Sequence, residues 1–86
     1  MDIEYNEIGN KKIIDIRDRY KYIEKNIPKS INIKENELML LPERYLNKKE
    51  EYVVYCDNGY RSKIVSNYLN TLGYKVYSLT GGINLY

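Results

Sequence analysis

The strongest constraint on this chain is one continuous stretch, Glu51-Tyr52-Val53-Val54-Tyr55, running directly into Cys56-Asp57-Asn58-Gly59-Tyr60-Arg61-Ser62. Residues 52–55 are bulky and apolar at consecutive positions, the pattern of a strand in the middle of a sheet covered on both faces. The next apolar residues, Ile64, Val65, Tyr68, Leu69 and Leu72, fall at the i, i+1, i+4, i+5, i+8 spacing of one helical face. Gly73 then supplies a C-terminal stop. A buried strand, a short loop and a helix put Cys56 at the carboxyl edge of a sheet, where open α/β folds place their ligands.

Two plainer readings compete. Asn58-Gly59 between apolar stretches is also the sequence of a tight hairpin turn, which would pair Tyr52–Cys56 with Tyr60–Ile64. The long helical period reaching Leu72 argues against it. A lone cysteine beside an apolar strand is, from composition alone, more often an inert buried residue than a nucleophile.

The rest of the chain alternates strand-like and helix-like segments, which predicts an α/β fold with a largely parallel sheet. Lys12-Ile13-Ile14-Asp15-Ile16 reads as a buried strand ending in the charged cluster Arg17-Asp18-Arg19. Ile31-Asn32-Ile33 reads as a second short strand, because Pro28 disfavours helix at Ile27 and the isoleucines alternate with period two. Leu38 to Leu46 reads as helical, with Pro42 starting a separate turn. Lys75-Val76-Tyr77-Ser78-Leu79 is a last strand, followed by a Thr80-Gly81-Gly82 turn whose glycines permit positive φ or close backbone approach. With 86 residues the chain is long enough for one core, and one domain over residues 1–86 is expected.

Composition removes several function classes. There is no histidine, which excludes Ser-His-Asp and Cys-His catalysis, and with one cysteine and no tight acidic cluster no metal site is expected. The net charge of +2, with basic residues scattered among acidic ones, does not favour nucleic acid. The eleven tyrosines are assigned mostly to the core, since the chain has no Phe and no Trp. No apolar run approaches the ~18 residues of a membrane span. The first residues lack the basic and apolar parts of a secretory signal, and one thiol stays reduced most easily in the cytosol, so a cytoplasmic location is expected.

If the loop curls so that its N–H groups face Cys56, those donors and the start of the following helix would stabilise an anion there. Cysteine pKa values fall from about 8.5 to roughly 3.5–7.5 in such surroundings, which yields a nucleophile without a general base.

Cys56-x-x-Gly59-x-Arg61-Ser62 after a hydrophobic strand resembles the active-site loop of the rhodanese family. Asp15-Ile16-Arg17 resembles that family's Asp-Val-Arg. Tyr22 and Ile27-Pro28-Lys29-Ser30-Ile31-Asn32-Ile33 resemble its Glu-Tyr and Gly-His-Ile-Pro-Gly-Ala-x-Asn-Ile. Gly73-Tyr74, then Leu79-x-Gly81-Gly82-Ile83 with Tyr86 in a position usually held by Trp, resemble its closing pattern. The matches run in order from residue 12 to 86. Lys21, Lys25, Asn26, Lys29 and Ser30 depart from the family pattern, and the sequence ends soon after the Gly-Gly turn, where members commonly carry a further segment.

The resemblance implies a rhodanese-like three-layer α/β/α fold and a sulfurtransferase in which Cys56 carries sulfur as a persulfide. The N–H groups of Asp57, Asn58, Gly59, Tyr60, Arg61 and Ser62 would cradle it. The donor would be thiosulfate or a related sulfane-sulfur compound, and the acceptor an outside thiol, cyanide or an acceptor protein, with no cofactor. Arg61 has two jobs open to it: binding an anionic donor, or bracing the loop against an acidic group such as Asp15, the second being favoured. Ser62 would bond to the loop or cap the helix. Arg17 would add positive potential or pair with Asp18 or a nearby Glu. Asp57, if its carboxylate turns inward, would oppose the thiolate and repel dianions. Two rivals remain: a non-catalytic rhodanese-like binding module, and a phosphatase or arsenate reductase on the same fold. Phosphatase loops read Cys-x5-Arg, whereas Cys56 to Arg61 is Cys-x4-Arg, a tighter ring suited to a terminal sulfur.

Overall fold

Five apolar stretches pair, all in parallel, into one twisted sheet. The computed structural model describes residues 1–86. Its strands are β1 (Asp2–Ile3), β2 (Lys12–Asp15), β3 (Ile31–Asn32), β4 (Glu51–Tyr55) and β5 (Lys75–Leu79), in the spatial order β1-β5-β4-β2-β3. Helices α1 (Arg19–Glu24), α2 (Glu35–Leu40), α3 (Pro42–Tyr45) and α4 (Tyr60–Thr71) make the connections. The α/β class and parallel sheet expected from the sequence are what the chain forms.

β4 is the central strand, with Ile14 opposite Val54 on one side and Val54 opposite Ser78 on the other. Its side chains alternate between two cores as the period of two requires. Tyr52, Val54 and Cys56 join Ile14, Leu38, Val65 and Leu69 under α2 and α4. Val53 and Tyr55 join Ile3, Ile27, Leu79 and Ile83 on the opposite face. The two outer layers are unequal, since α1 buries none of its residues and the second face is covered largely by Ile8, Ile27 and Ile83, the last from the short 3-10 turn Gly82–Leu85.

Several expectations need correction. The strands expected over 12–16 and 31–33 are each one residue shorter. The helical stretch expected from Leu38 begins three residues earlier, as α2 at Glu35, while Pro42 opens the separate turn expected of it, α3. On α4 the buried face is Ser62, Val65, Ser66 and Leu69, while Ile64, Tyr68 and Leu72 are each about 40% exposed. Two serines stand on the core side because α4 lies close against the loop after β4, and the apolar count placed the face too far round. Only Tyr52, Tyr55 and Tyr74 of the tyrosines are buried, aliphatic residues supplying most of the core. Strand β1 and helix α1 were not expected. β1 is two residues long, and α1 has too little apolar periodicity to announce itself.

Candidate active site

The hydrogen-bond ladder carries β4 to Tyr55 and stops, so Cys56 is the first residue beyond the central strand, 5% exposed. The loop then doubles back through Gly59 at φ +93°, a left-handed conformation that a β-carbon resists. Asn58 stabilises this turn by accepting the Tyr60 N–H on its side-chain oxygen at 3.0 Å. The loop thereby aims the Gly59 N–H at Cys56 Sγ (3.2 Å) and the Ser62 N–H at the same sulfur (3.3 Å). Ser62, fully buried, donates its hydroxyl to the Gly59 carbonyl and stands 3.5 Å from Cys56 Sγ. Of the six N–H groups expected to surround the sulfur, Gly59 and Ser62 reach it, and that of Tyr60 is taken by Asn58.

The C-terminal Gly81-Gly82 turn fixes the loop from behind. The Ile83 N–H donates to the Cys56 carbonyl at 2.9 Å and the Asn84 N–H to that of Asp57 at 3.0 Å. Gly82 packs so closely that a β-carbon there would lie 2.4 Å from the Cys56 carbonyl oxygen. Gly82, read from the sequence as a turn residue, is thus also needed for backbone approach to the site.

β2 and β4 are neighbours in the sheet, so Asp15, at the end of β2, stands beside Tyr55. Asp15 is completely buried and is held by Arg17, not Arg61. The Arg17 Nη2 lies 2.8 Å from Asp15 Oδ2, its Nε lies 3.1 Å from both carboxylate oxygens, and its backbone N–H donates to Oδ1 at 2.8 Å. Arg17 also donates to the Lys25 carbonyl at 2.6 Å and lies over the Tyr55 ring. Its hydrogen bond to Asp15 holds the guanidinium above its ordinary range. The surface pair with Asp18 or a Glu is therefore not made, because the buried carboxylate two residues away is the nearer partner.

Arg61 does not turn inward toward Asp15, the arrangement the sequence favoured; it pairs with Glu35 at the start of α2. Its Nε donates to Glu35 Oε1 at 3.0 Å and its Nη2 to Oε2. The Arg61 side chain is 59% exposed and lines the pocket rather than turning into the sheet. Asp57 turns away from the sulfur toward Lys21 Nζ, at 2.7 Å, and Arg17 Nη1, at 3.5 Å. Lys21 first, then Arg17, holds its carboxyl below the usual 3.8 against the opposing effect of burial. The inward-facing Asp57 carboxylate does not occur.

Above Cys56 opens a cavity of about 380 Å³ lined by Arg17, Lys21, Lys34 and Arg61 among Asp18, Glu35 and Asp57. Lys21, Lys34 and Glu35 were not singled out as site residues from the sequence. The signal for the last two was their place just past β3, on the same carboxyl edge as Cys56. No group of three or more Cys, Asp or Glu side chains is arranged to hold a metal ion.

A family model described as Rhodanese-like domain matches residues 4–86. The chain belongs to this family. It is 34% identical over 73 residues to "Putative sulfurtransferase YtwF" of Bacillus subtilis (strain 168), covering 83% of this chain and 68% of that protein. It is 35% identical over 71 residues to the thiosulfate sulfurtransferase GlpE of Coxiella burnetii, covering 81% and 65%. The chain thus spans about two thirds of the length of the curated relatives it matches. Among solved structures, a rhodanese-related protein from Thermoplasma volcanium superposes with a TM-score of 0.86 at 30% identity, covering 98% of this chain and 87% of that one. The rhodanese-like fold is therefore found in both the sequence and the structural comparisons. No helix is long and apolar enough to cross a membrane.

Proposed function

We propose that this protein is a sulfurtransferase in which Cys56 carries sulfane sulfur as a persulfide. The observation that carries the reading is the pair of N–H groups, from Gly59 and Ser62, aimed at Cys56 Sγ beneath an open pocket. Donors fixed on a sulfur are already oriented when charge develops on it in the transfer. The thiolate attacks the outer sulfur of a donor, the donor's S–S bond breaks, and the bond electrons leave with the departing group. An outside thiol or cyanide then attacks the outer sulfur of the Cys56 persulfide and regenerates the thiolate. Two displacements replace one difficult transfer, and neither needs a cofactor.

In this reading Asp57, Asn58, Tyr60 and Arg61 shape the loop, Asp15 and Arg17 support it, and residues 1–86 act as one domain. Since the chain holds one cysteine, sulfur must leave to an external acceptor, a small thiol or an acceptor protein. A reducing compartment, the cytoplasm, suits such a thiol.

Three proteins decide the matter: the wild type, Cys56→Ser and Ser62→Ala. With a sulfane donor and cyanide, the wild type is expected to form thiocyanate with ping-pong kinetics, Ser62→Ala to turn over more slowly, and Cys56→Ser not at all. Hydrolysis of an aryl phosphate without thiocyanate formation would replace this reading with the phosphatase. Neither activity would leave the binding module.

A further inference from the structure

Every cation lining the Cys56 pocket stands beside a carboxylate. Arg17 is held by Asp15 and Asp57, Lys21 by Asp57, Lys34 by Asp18 at 3.9 Å, and Arg61 by Glu35. The four cations lining the pocket meet three carboxylates there, Asp18, Glu35 and Asp57, and a fourth, Asp15, buried behind Arg17, so that each positive charge is compensated. A dianion approaching a thiolate needs compensating charge, and opposite charges already paired at contact distance supply little of it. The Arg61–Glu35 pair is the one that decides access. It joins the helix after the cysteine loop to the helix after β3, both residues lining the cavity, while the Asp15–Arg17 pair is locked inside the fold.

Resting on the sulfurtransferase reading, we propose that Glu35 is a specificity-determining residue. By occupying the Arg61 guanidinium it keeps the pocket electrically balanced, so that Cys56 takes sulfur from the protonated form of a small organic hydropersulfide, R–S–S–H, in preference to the thiosulfate dianion. The step balances without an oxidant or reductant: Cys56–S⁻ and R–S–S–H give Cys56–S–S–H and R–S⁻. The donor's S–S bond breaks, a new one forms to Cys56, the proton stays on the transferred sulfur, and the electron pair leaves on the carrier thiolate. With thiosulfate the leaving group is sulfite, so both the incoming and the departing species are dianions that the balanced pocket does not favour.

The test compares kcat/KM for thiosulfate with that for 2-hydroxyethyl hydropersulfide in wild type, Glu35→Gln and Glu35→Gln/Arg61→Gln, each checked for folding by circular dichroism. Freeing Arg61 in Glu35→Gln is expected to shift the ratio about tenfold toward thiosulfate, through a lower thiosulfate KM, and the shift is expected to shrink between roughly 0.05 and 0.5 M salt. The double variant, which removes the freed cation, returns the ratio to near the wild-type value. An unchanged ratio in Glu35→Gln, or a shift that survives in the double variant, overturns the assignment of Glu35 while leaving sulfur transfer intact. Failure of wild-type Cys56 to accept sulfur from either donor overturns the sulfurtransferase reading itself.

Discussion

Replacing Gly82 with alanine isolates what the C-terminal turn contributes to the site. A β-carbon at residue 82 would stand 2.4 Å from the Cys56 carbonyl oxygen and 2.6 Å from that of Asp57, both far inside van der Waals contact. These oxygens cannot simply retreat, because they accept the Ile83 and Asn84 N–H groups at 2.9 and 3.0 Å. Relieving the overlap therefore loses or weakens two hydrogen bonds, each worth about 1 kcal/mol. Gly82 also has φ +60°, which costs a residue with a β-carbon a further 1–2 kcal/mol or so. The total is about 3–4 kcal/mol, a large part of the roughly 5–15 kcal/mol that holds a domain together. Gly9→Ala is the control, since Gly9 has φ +57° and nothing within 4 Å of its would-be β-carbon. It should show the conformational cost alone, about 1–2 kcal/mol. Urea unfolding of both variants gives the difference, and the rate of Cys56 modification by a sulfane donor reports whether the loop has moved. Equal destabilisation of Gly82→Ala and Gly9→Ala, with an unchanged Cys56 rate, would refute the claim that the turn buttresses the loop.

Further consequences are open to measurement. Arg17→Met leaves the fully buried Asp15 carboxylate without its charged partner and is expected to cost about 3–5 kcal/mol in urea unfolding, much of it recovered in Asp15→Leu/Arg17→Met; a loss under about 1 kcal/mol would contradict the buried pair. Burial pushes the Tyr55 phenol up to about 12 from 10, so it favours the folded state fully below pH 10 and this contribution, roughly 2–3 kcal/mol, is lost as pH rises toward about 12. Phenolate absorbance should show a late step near pH 12, and Tyr55→Phe should remove it. The Asp57 carboxyl is held below 3.8, so its pairing with Lys21 and Arg17 stabilises the fold above that value and is lost as pH falls through the lower folded one. The stability difference between wild type and Asp57→Asn should be flat above about pH 5 and shrink below 3.8; a difference that already falls between pH 7 and 5 would contradict this.

What the sequence disclosed follows from how each element is encoded. Residues 51–55 and 75–79 are strands in the structure as read, because the runs Tyr52-Val53-Val54-Tyr55 and Val76-Tyr77 favour extended backbone and each is bounded by turn residues. The Cys56 loop was legible because Gly59, Asn58 and Ser62 each have a local job that residue type alone suggests. Partners across the pocket were not legible. Arg61 finds Glu35 rather than Asp15 only because β3 lies next to β2 and delivers α2 to the same edge, information held in the sheet order. Gly82 could be read as a turn, but not as a backbone contact with Cys56, for the same reason. β1 was invisible because a two-residue strand has no period, its place fixed by Ser78 and Thr80 N–H groups donating to Met1 and Ile3.

The central claim, that Cys56 carries sulfur, is tested most directly by the intact mass of the protein after exposure to a sulfane donor. The account predicts a gain of one sulfur atom that disappears with cyanide or dithiothreitol and is absent in Cys56→Ser. A folded wild type that gains no sulfur from a hydropersulfide, a polysulfide or thiosulfate, or a Cys56→Ser variant that gains it equally, would contradict it.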